Sequence, residues 1–335
     1  MMTMPINKPS PRSLPRTQRG IALLTALLIV SMATIIAINI TERQQYDIRR
    51  TENILFSQQG YYYALGGEAW ARGVLYRDHK NPNNKNTDNL LEDWAQPLPV
   101  TIIEGGTLGG QISDLQGLFN LNNLYVENPG DSQANTYLQK QQAYFKRLLE
   151  ILEIKAPITQ AIIDWMDEDT DALFPDGAED QIYEQKTPPY RTSNQRMRSP
   201  SELLLVEGVS IEIYEKLKPF ITTLPETTLI NINTAPGEII AALSSQLNLQ
   251  EASEIVEDRS SVFDTIKDFI DETKGRANDK NKYELEIKDL IGVSSQYFQV
   301  QAEVLIDKVS NRLTSNLKRN ADSSVETISR SPGVD

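Results

Sequence analysis

From Ile21 to Ile40 the chain runs without a charge, mostly through Ile, Leu, Ala and Val. As a helix this stretch spans about 30 Å, the thickness of a hydrocarbon core. No proline occurs between Gly20 and Pro82, and beyond the apolar run Ile48, Leu55, Tyr62, Ala69 and Tyr76 recur every seventh residue, flanked by Phe56, Tyr63 and Trp70. The pattern predicts one long helix, apolar all round in its first part and carrying a packing stripe in its second, with Tyr61–Tyr63 as core. Gly60, Gly66, Gly67 and Gly73 weaken it locally, and His79 stands at its end as a solvated or capping residue. Residues 80–97, rich in Asn and Pro, read as a loop.

Strand signals follow. Val100–Glu104, the glycines Gly105, Gly106, Gly109 and Gly110, and Gln111–Leu115 predict a hairpin. Near the other end Phe298, Val300, Ala302, Val304 and Ile306 alternate with Gln299, Gln301, Glu303 and Leu305, a half-buried strand. One sheet with strands so far apart implies that the middle is an insertion. That middle reads as helical: Phe145, Leu148, Leu149 and Leu152 lie at helical spacing, as do Ile158, Ala161, Ile162 and Trp165 after Pro157. Ser199-Pro200-Ser201-Glu202 is a capping box, its helix stops at Gly208, and Ser210 caps the next, Ile211–Phe220. Thr234–Glu238 opens a further helix, Ile239–Leu247, and Gly208-Val209-Ser210 is echoed by Gly292-Val293-Ser294. After Val309 the chain turns polar and aperiodic, with at most a short strand around Leu313–Leu317 before a frayed tail.

Composition narrows the chemistry. The chain has no cysteine and one histidine, His79. This excludes a disulfide framework, a Cys or His zinc site, a Cys–His pair and a Ser–His–Asp triad remote from His79. Lys8, Arg12, Arg16 and Arg19 precede the apolar run, and no acid occurs before residue 41, so the rest of the chain must outweigh this +4 to give −13 overall. The positive-inside bias places residues 1–20 in the cytoplasm and the body across the membrane. So acidic a body repels nucleic acid, and residues 199–221, a helix–turn–helix by pattern, hold four Glu against two Lys. Packing is the better account of that hairpin.

Nine carboxylates fall between Asp164 and Gln185 (Asp164, Asp167, Glu168, Asp169, Asp171, Asp176, Glu179, Asp180 and Glu184) with no Lys or Arg among them. The same stretch contains Trp165, Leu173, Phe174, Pro175, Ile182 and Tyr183. Repulsion and apolar burial coexist if a hard cation draws the oxygens together, and calcium takes six to eight oxygen ligands in flexible loops. The spacing is not that of an EF-hand: counted from Asp167, Ala172 and Ala178 occupy the Gly and Glu positions. On spacing alone a calcium site and a solvated charge run both fit. A carboxylate-pair glycosidase is a weaker alternative, because no one acid is set apart from the others.

The apolar start admits an ordinary signal peptide or a generic anchor, but Arg19-Gly20 directly before Ile21-Ala22-Leu23-Leu24 resembles a prepilin processing site. The resemblance implies cleavage by a prepilin peptidase after Gly20 and methylation of Ile21, leaving the helix on the mature protein. Prepilins usually carry Glu at the fifth position after the cut; here it is Thr25. Large size, the missing Glu, Asp114–Asn122, Trp165-Met166-Asp167-Glu168-Asp169, Asp176–Asp180 with Tyr183, Pro188-Pro189-Tyr190-Arg191 with Asn194, and Ile232-Asn233-Thr234-Ala235-Pro236 together resemble the type II secretion system protein K family.

That resemblance implies an α+β, pilin-like fold: a long N-terminal helix on a small antiparallel sheet, with a large, mainly α-helical insertion. The expected organisation is a cytoplasmic leader (1–20), a transmembrane helix (21–40), a pilin-like domain (41–122 plus 295–308), an inserted helical domain (123–294) and a disordered tail (309–335). It implies a non-enzymatic minor pseudopilin in the inner membrane, body periplasmic, capping the pseudopilus and binding minor pseudopilins I and J, with secreted substrates as possible contacts. A calcium-binding minor pilin or adhesin of a surface fibre is the alternative. It further implies two structural calcium ions, with Asp167, Asp169, Asp171, Asp176, Glu179 and Asp180 as the expected ligands.

Overall fold

The computed structural model describes residues 18–125, 132–257 and 262–333. The chain divides into two units, residues 1–59 and 60–335. Helix α1 (Gln18–Lys80) contributes to both. Most of the expected leader, residues 1–17, lies outside the described residues.

In the first unit the described residues are all helical, and the side chains of Ile21, Leu24, Leu28 and Ile36 are exposed. The few polar residues of the apolar stretch turn inward on the helix. Thr25 donates to the carbonyl of Ala22 at 3.0 Å, Ser31 to Leu28 at 2.8 Å, Thr34 to Val30 at 2.8 Å and Asn39 to Ile35 at 2.8 Å. A segment that must satisfy its polar groups without water does so in this way. Among the described residues this is the one helix long and apolar enough to cross a membrane.

In the second unit the end of α1 lies on a five-stranded antiparallel sheet. Strand β1 (Leu98–Ile103) pairs with β2 (Gly106–Asp114), the expected hairpin. Between β2 and the rest of the sheet lies the insertion. It comprises β3 (Phe119–Asn120), α2 (Ser132–Ile151), α3 (Thr159–Met166), α4 (Asp180–Tyr183), α5 (Ile211–Leu217), β4 (Ile221–Thr222) and β5 (Ile230–Asn231). It continues through α6 (Gly237–Ala242), α7 (Leu249–Glu257), α8 (Ile266–Thr273), α9 (Lys280–Ile287) and β6 (Ile291–Gly292). The sheet then resumes with β7 (Tyr297–Ile306), β8 (Val309–Arg319) and β9 (Val325–Gly333), in the order β1-β2-β7-β8-β9. The alternation expected for β7 holds: Phe298, Val300, Ala302, Val304 and Ile306 are all buried.

The side of α1 that meets the sheet differs from the expectation. Ala64, Gly67, Glu68, Ala71, Val74, Leu75 and Asp78 are buried, whereas Tyr62, Ala69 and Tyr76 of the seven-residue stripe are exposed. Tyr61 is partly exposed too, so the tyrosine cluster is not core. The reason is distance. A Cβ on Gly67 would lie 3.3 Å from that of Ala302 and 3.5 Å from a methyl of Leu108, so only small residues let helix and sheet approach. Ala71, Val74 and Leu75 then close on Trp94, Ile112, Phe298, Val300 and Leu317.

The expected disordered tail is wrong: residues 309–319 and 325–333 are strands. Their inward positions read Leu313, Ser315, Leu317 and Arg319, and the polar members answer buried acids rather than breaking the strand. Ser315 donates to Glu68 Oε2 at 2.7 Å, Thr327 to Oε1 at 2.7 Å, and Arg330 to both oxygens at 2.6 and 2.8 Å. Burial works to raise the Glu68 pKa, but Arg330 and the two hydroxyls outweigh it and hold it at about 2. The pilin-like sheet thus extends past residue 308.

In the insertion, the Ser199 capping box is present, but its helix is a 3₁₀ turn, Pro200–Leu205, and the helix expected over Ile239–Leu247 is α6, Gly237–Ala242. The Gly208 and Gly292 echo has no structural counterpart, since Gly208 turns at φ +80° and Gly292 lies in a strand. Asparagines staple the insertion together. Asn122 donates to the carbonyls of Met197 and Leu224 and accepts from Met197 N, and Asn233 exchanges two hydrogen bonds with Phe263.

Candidate metal centre

The acidic stretch begins with Asp164 on α3, three residues before Asp167. Helix α3 ends at Met166, and Asp167 is its extended C-cap. The chain loops out and returns to α4, for which Glu179 is the N-cap. Beneath the loop, Trp165, Tyr183 and Tyr190 pack with ring centroids 5.3 Å (Trp165–Tyr183) and 5.4 Å (Tyr183–Tyr190) apart. Asn194, at φ +48°, and Ser193 both donate backbone N–H groups to the Trp165 carbonyl at 3.1 Å. Of Trp165, Leu173, Phe174, Pro175, Ile182 and Tyr183, only Trp165 and Tyr183 are buried, whereas the other four are exposed.

One oxygen from each of Asp167, Asp169 and Glu179 lies within 4.8 Å of the other two. Neither oxygen of the buried Glu179 has a hydrogen-bond partner, nor has Oδ1 of Asp167. Asp164, fully buried, accepts from Leu173 N at 3.1 Å through Oδ2, while its Oδ1 is likewise unpartnered. Burial, then Asp169 and Asp164, raise the Asp167 pKa to about 7; burial, then Asp167 and Asp164, raise that of Glu179 to about 7. Unanswered buried anions of this kind cost several kcal/mol each unless a cation joins them. Oxygen-only donors on a loop suit a hard divalent ion.

Three of the six expected ligands, Asp167, Asp169 and Glu179, are thus brought together. The others are not in that group. Asp171 is exposed and donates its N–H to Asp169 Oδ1 at 2.8 Å. Asp176 is exposed and donates its N–H to Gln160 Oε1 at 3.0 Å. Asp180 accepts from Thr192 N at 3.0 Å and Thr192 Oγ1 at 2.9 Å, with Arg191 Nε 3.8 Å away. Asp164 was not among the expected ligands, although its spacing of three from Asp167 within a helix was the available signal. Gly177 closes the loop: a Cβ there would meet Asp164 Oδ2 at 2.2 Å and Leu173 N and O at 2.4 Å.

Gly20 and Ile21 are helical and exposed at the start of α1, and the space beside Gly20 is open.

Comparison with known proteins agrees with this architecture. The family described as type II secretion system (T2SS), protein K, matches residues 117–226 and 230–288. The type II secretion system protein K of Aeromonas hydrophila is 39% identical over 256 residues, 73% of this chain and 76% of that one. The protein of that name from Pseudomonas aeruginosa is 34% identical over 332 residues, covering 95% and 94%. A crystal structure of the GspK–GspI–GspJ complex from enterotoxigenic Escherichia coli matches with a TM-score of 0.71 at 22% identity, over 85% of this chain and 100% of the other. That is a likeness of fold, a long helix on an antiparallel sheet with a helical insertion. By its sequence, this chain belongs to the type II secretion system protein K family.

Proposed function

We propose that the chain is the minor pseudopilin that caps the tip of the pseudopilus and associates with minor pseudopilins I and J, in an assembly role rather than a catalytic one. The observation that carries this reading is the division of labour on α1. One side is consumed by the chain's own sheet, while Ile48, Leu55, Tyr62, Ala69 and Tyr76 stand exposed at seven-residue spacing. A stripe with that period is what neighbouring helices cover in a filament. The related GspK–GspI–GspJ complex supports those partners. Thr25 spends its hydroxyl on its own helix, so the residue in the usual Glu position offers no anion to an adjacent subunit. A subunit with nothing ahead of it needs none.

The reading places Ile21–Ile40 in the inner membrane, the leader in the cytoplasm and the remainder in the periplasm, with cleavage after Gly20 and methylation of Ile21. In the periplasm the loop holds calcium. Asp167, Asp169 and Glu179, joined by Asp164 Oδ1, are the assigned donors; Asp171, Asp176 and Asp180 of the same stretch are candidates for a second ion. The bound ion supplies positive charge and no reaction chemistry.

The test is co-purification with pseudopilins I and J. Leu55→Glu/Tyr62→Glu is expected to lose the complex at least tenfold while its melting temperature stays at the wild-type value. Undiminished association would contradict the partner assignment. N-terminal sequencing tests processing: the mature chain should begin at Ile21, and Gly20→Ala should keep its leader.

A further inference from the structure

Among the described residues a second acid trio, Asp78 of α1 with Asp88 and Glu92 of the following loop, also brings oxygens within 4.8 Å of one another. That trio is buried and closed within the chain. Arg319 of β8 donates to Asp88 at 2.6 Å and to Asp78 at 3.2 Å, while Asn89 Nδ2 and Trp94 Nε1 donate to Glu92 at 2.6 and 2.5 Å. The metal loop is the open one, and Asp164 beside it divides its two oxygens between different surroundings. Asp164 is fully buried on α3. Its Oδ2 accepts from Leu173 N at 3.1 Å, whereas its Oδ1 has no partner. Its charge is felt at both Asp167 and Glu179.

The turn that Asp164 holds is a built one. Gln160, one helical turn earlier on α3, donates Nε2 to the Phe174 carbonyl at 2.7 Å and accepts from Asp176 N at 3.0 Å. Gly177 N closes the turn on the Leu173 carbonyl at 2.7 Å. On this scaffold Phe174 stands 90% exposed.

We propose that Asp164 links the metal centre to this turn: Oδ1 joins the ion, Oδ2 holds Leu173, and ion occupancy thereby fixes the turn that displays Phe174. The link rests on the calcium reading above. Without a cation, a buried carboxylate with one free oxygen beside two further acids is relieved whenever the loop opens and water reaches it. With the ion in place, an opening that carries Asp164 away must also release the ion, so opening becomes rarer. Calcium therefore sets a piece of surface as well as the stability of the loop. The apolar contact point at Phe174 is rigid when the ion is bound and frays when it is absent.

The experiment is amide hydrogen exchange on the full chain in detergent micelles, with calcium and with a chelator, alongside calorimetric titration with calcium. The N–H groups of Leu173, Asp176 and Gly177 report directly, because each is bonded within the turn. At free calcium about 100 times the dissociation constant, their exchange should slow by at least about tenfold, with about 100-fold as the ceiling. In Asp164→Asn the side-chain carbonyl can still take Leu173 N, but the amide offers the ion no anionic oxygen. This variant should bind calcium more weakly, and at about 100 times its own dissociation constant the three amides should slow by less than about threefold. Calcium binding by the wild type without slower exchange would overturn the link and leave the metal reading standing. Equal slowing in Asp164→Asn would overturn it too, as would a variant that binds no calcium, since Asp164 would then be an indispensable ligand. A wild type that takes up no calcium would remove the metal reading and the link together.

Discussion

Two clusters of carboxylates in this chain, one wholly buried and one with only Glu179 of its trio buried, are completed differently. Around Arg319 the chain supplies its own cation from β8, together with neutral donors from Asn89, Trp94 and Ser295. In the loop from Asp164 to Glu179 it supplies none, and four oxygens are left without partners. The first cluster is a fixed part of the sheet; the second holds no cation of its own, and on the proposed reading an ion from outside finishes it. Proximity of acids alone distinguishes neither, since each trio has oxygens within 4.8 Å. What separates a structural cluster from a metal centre is whether the lone pairs are already used.

The largest test of that contrast removes the internal cation. Arg319→Ala strands Asp78 and Asp88 and should cost about 3–5 kcal/mol in denaturant unfolding. A loss below about 1 kcal/mol would mean the cluster is not held by charge. A smaller effect comes from Glu68, the acid that pins β8 and β9. Glu68→Gln should cost about 2 kcal/mol near neutral pH. Since the folded Glu68 pKa of about 2 lies below the ordinary 4.5, its contribution is full above the ordinary value and fades as pH falls toward 2. Wild type and variant should therefore converge in acid, and curves a constant distance apart would refute the assignment. The subtlest test is the double change Asp167→Asn/Glu179→Gln. Relief of repulsion should make the metal-free protein about 1–2 kcal/mol more stable, while calcium should no longer raise its melting temperature. A variant still stabilised by calcium would move the site elsewhere.

Much of this was legible in the sequence, and the failures share a cause. The hairpin at Val100–Leu115 and the strand at Phe298–Ile306 follow plain hydrophobic alternation. Strand β8 was read only as a short strand around Leu313–Leu317 because Ser315 and Arg319 sit at inward positions, where they answer Glu68, Asp78 and Asp88 rather than fill apolar space. The packed side of α1 was misread for a related reason: Ala64, Gly67 and Ala71 give a weak apolar signal, and the strong one belongs to the exposed stripe. In the metal loop the residue types were readable, but the choice among nine carboxylates depends on where the chain turns. Gly177 and the buried Asp164 set that turn; the spacing of Asp164 from Asp167 was readable, whereas Gly177 does not declare its partner from spacing.

The direct measurement is the melting temperature of the full chain in detergent with excess calcium and with a chelator. With free calcium at 100 times the dissociation constant, the folded state should gain about 2.7 kcal/mol, seen as a clear upward shift in melting. Identical melts in both conditions would contradict the claim that the acidic loop is completed by an external ion.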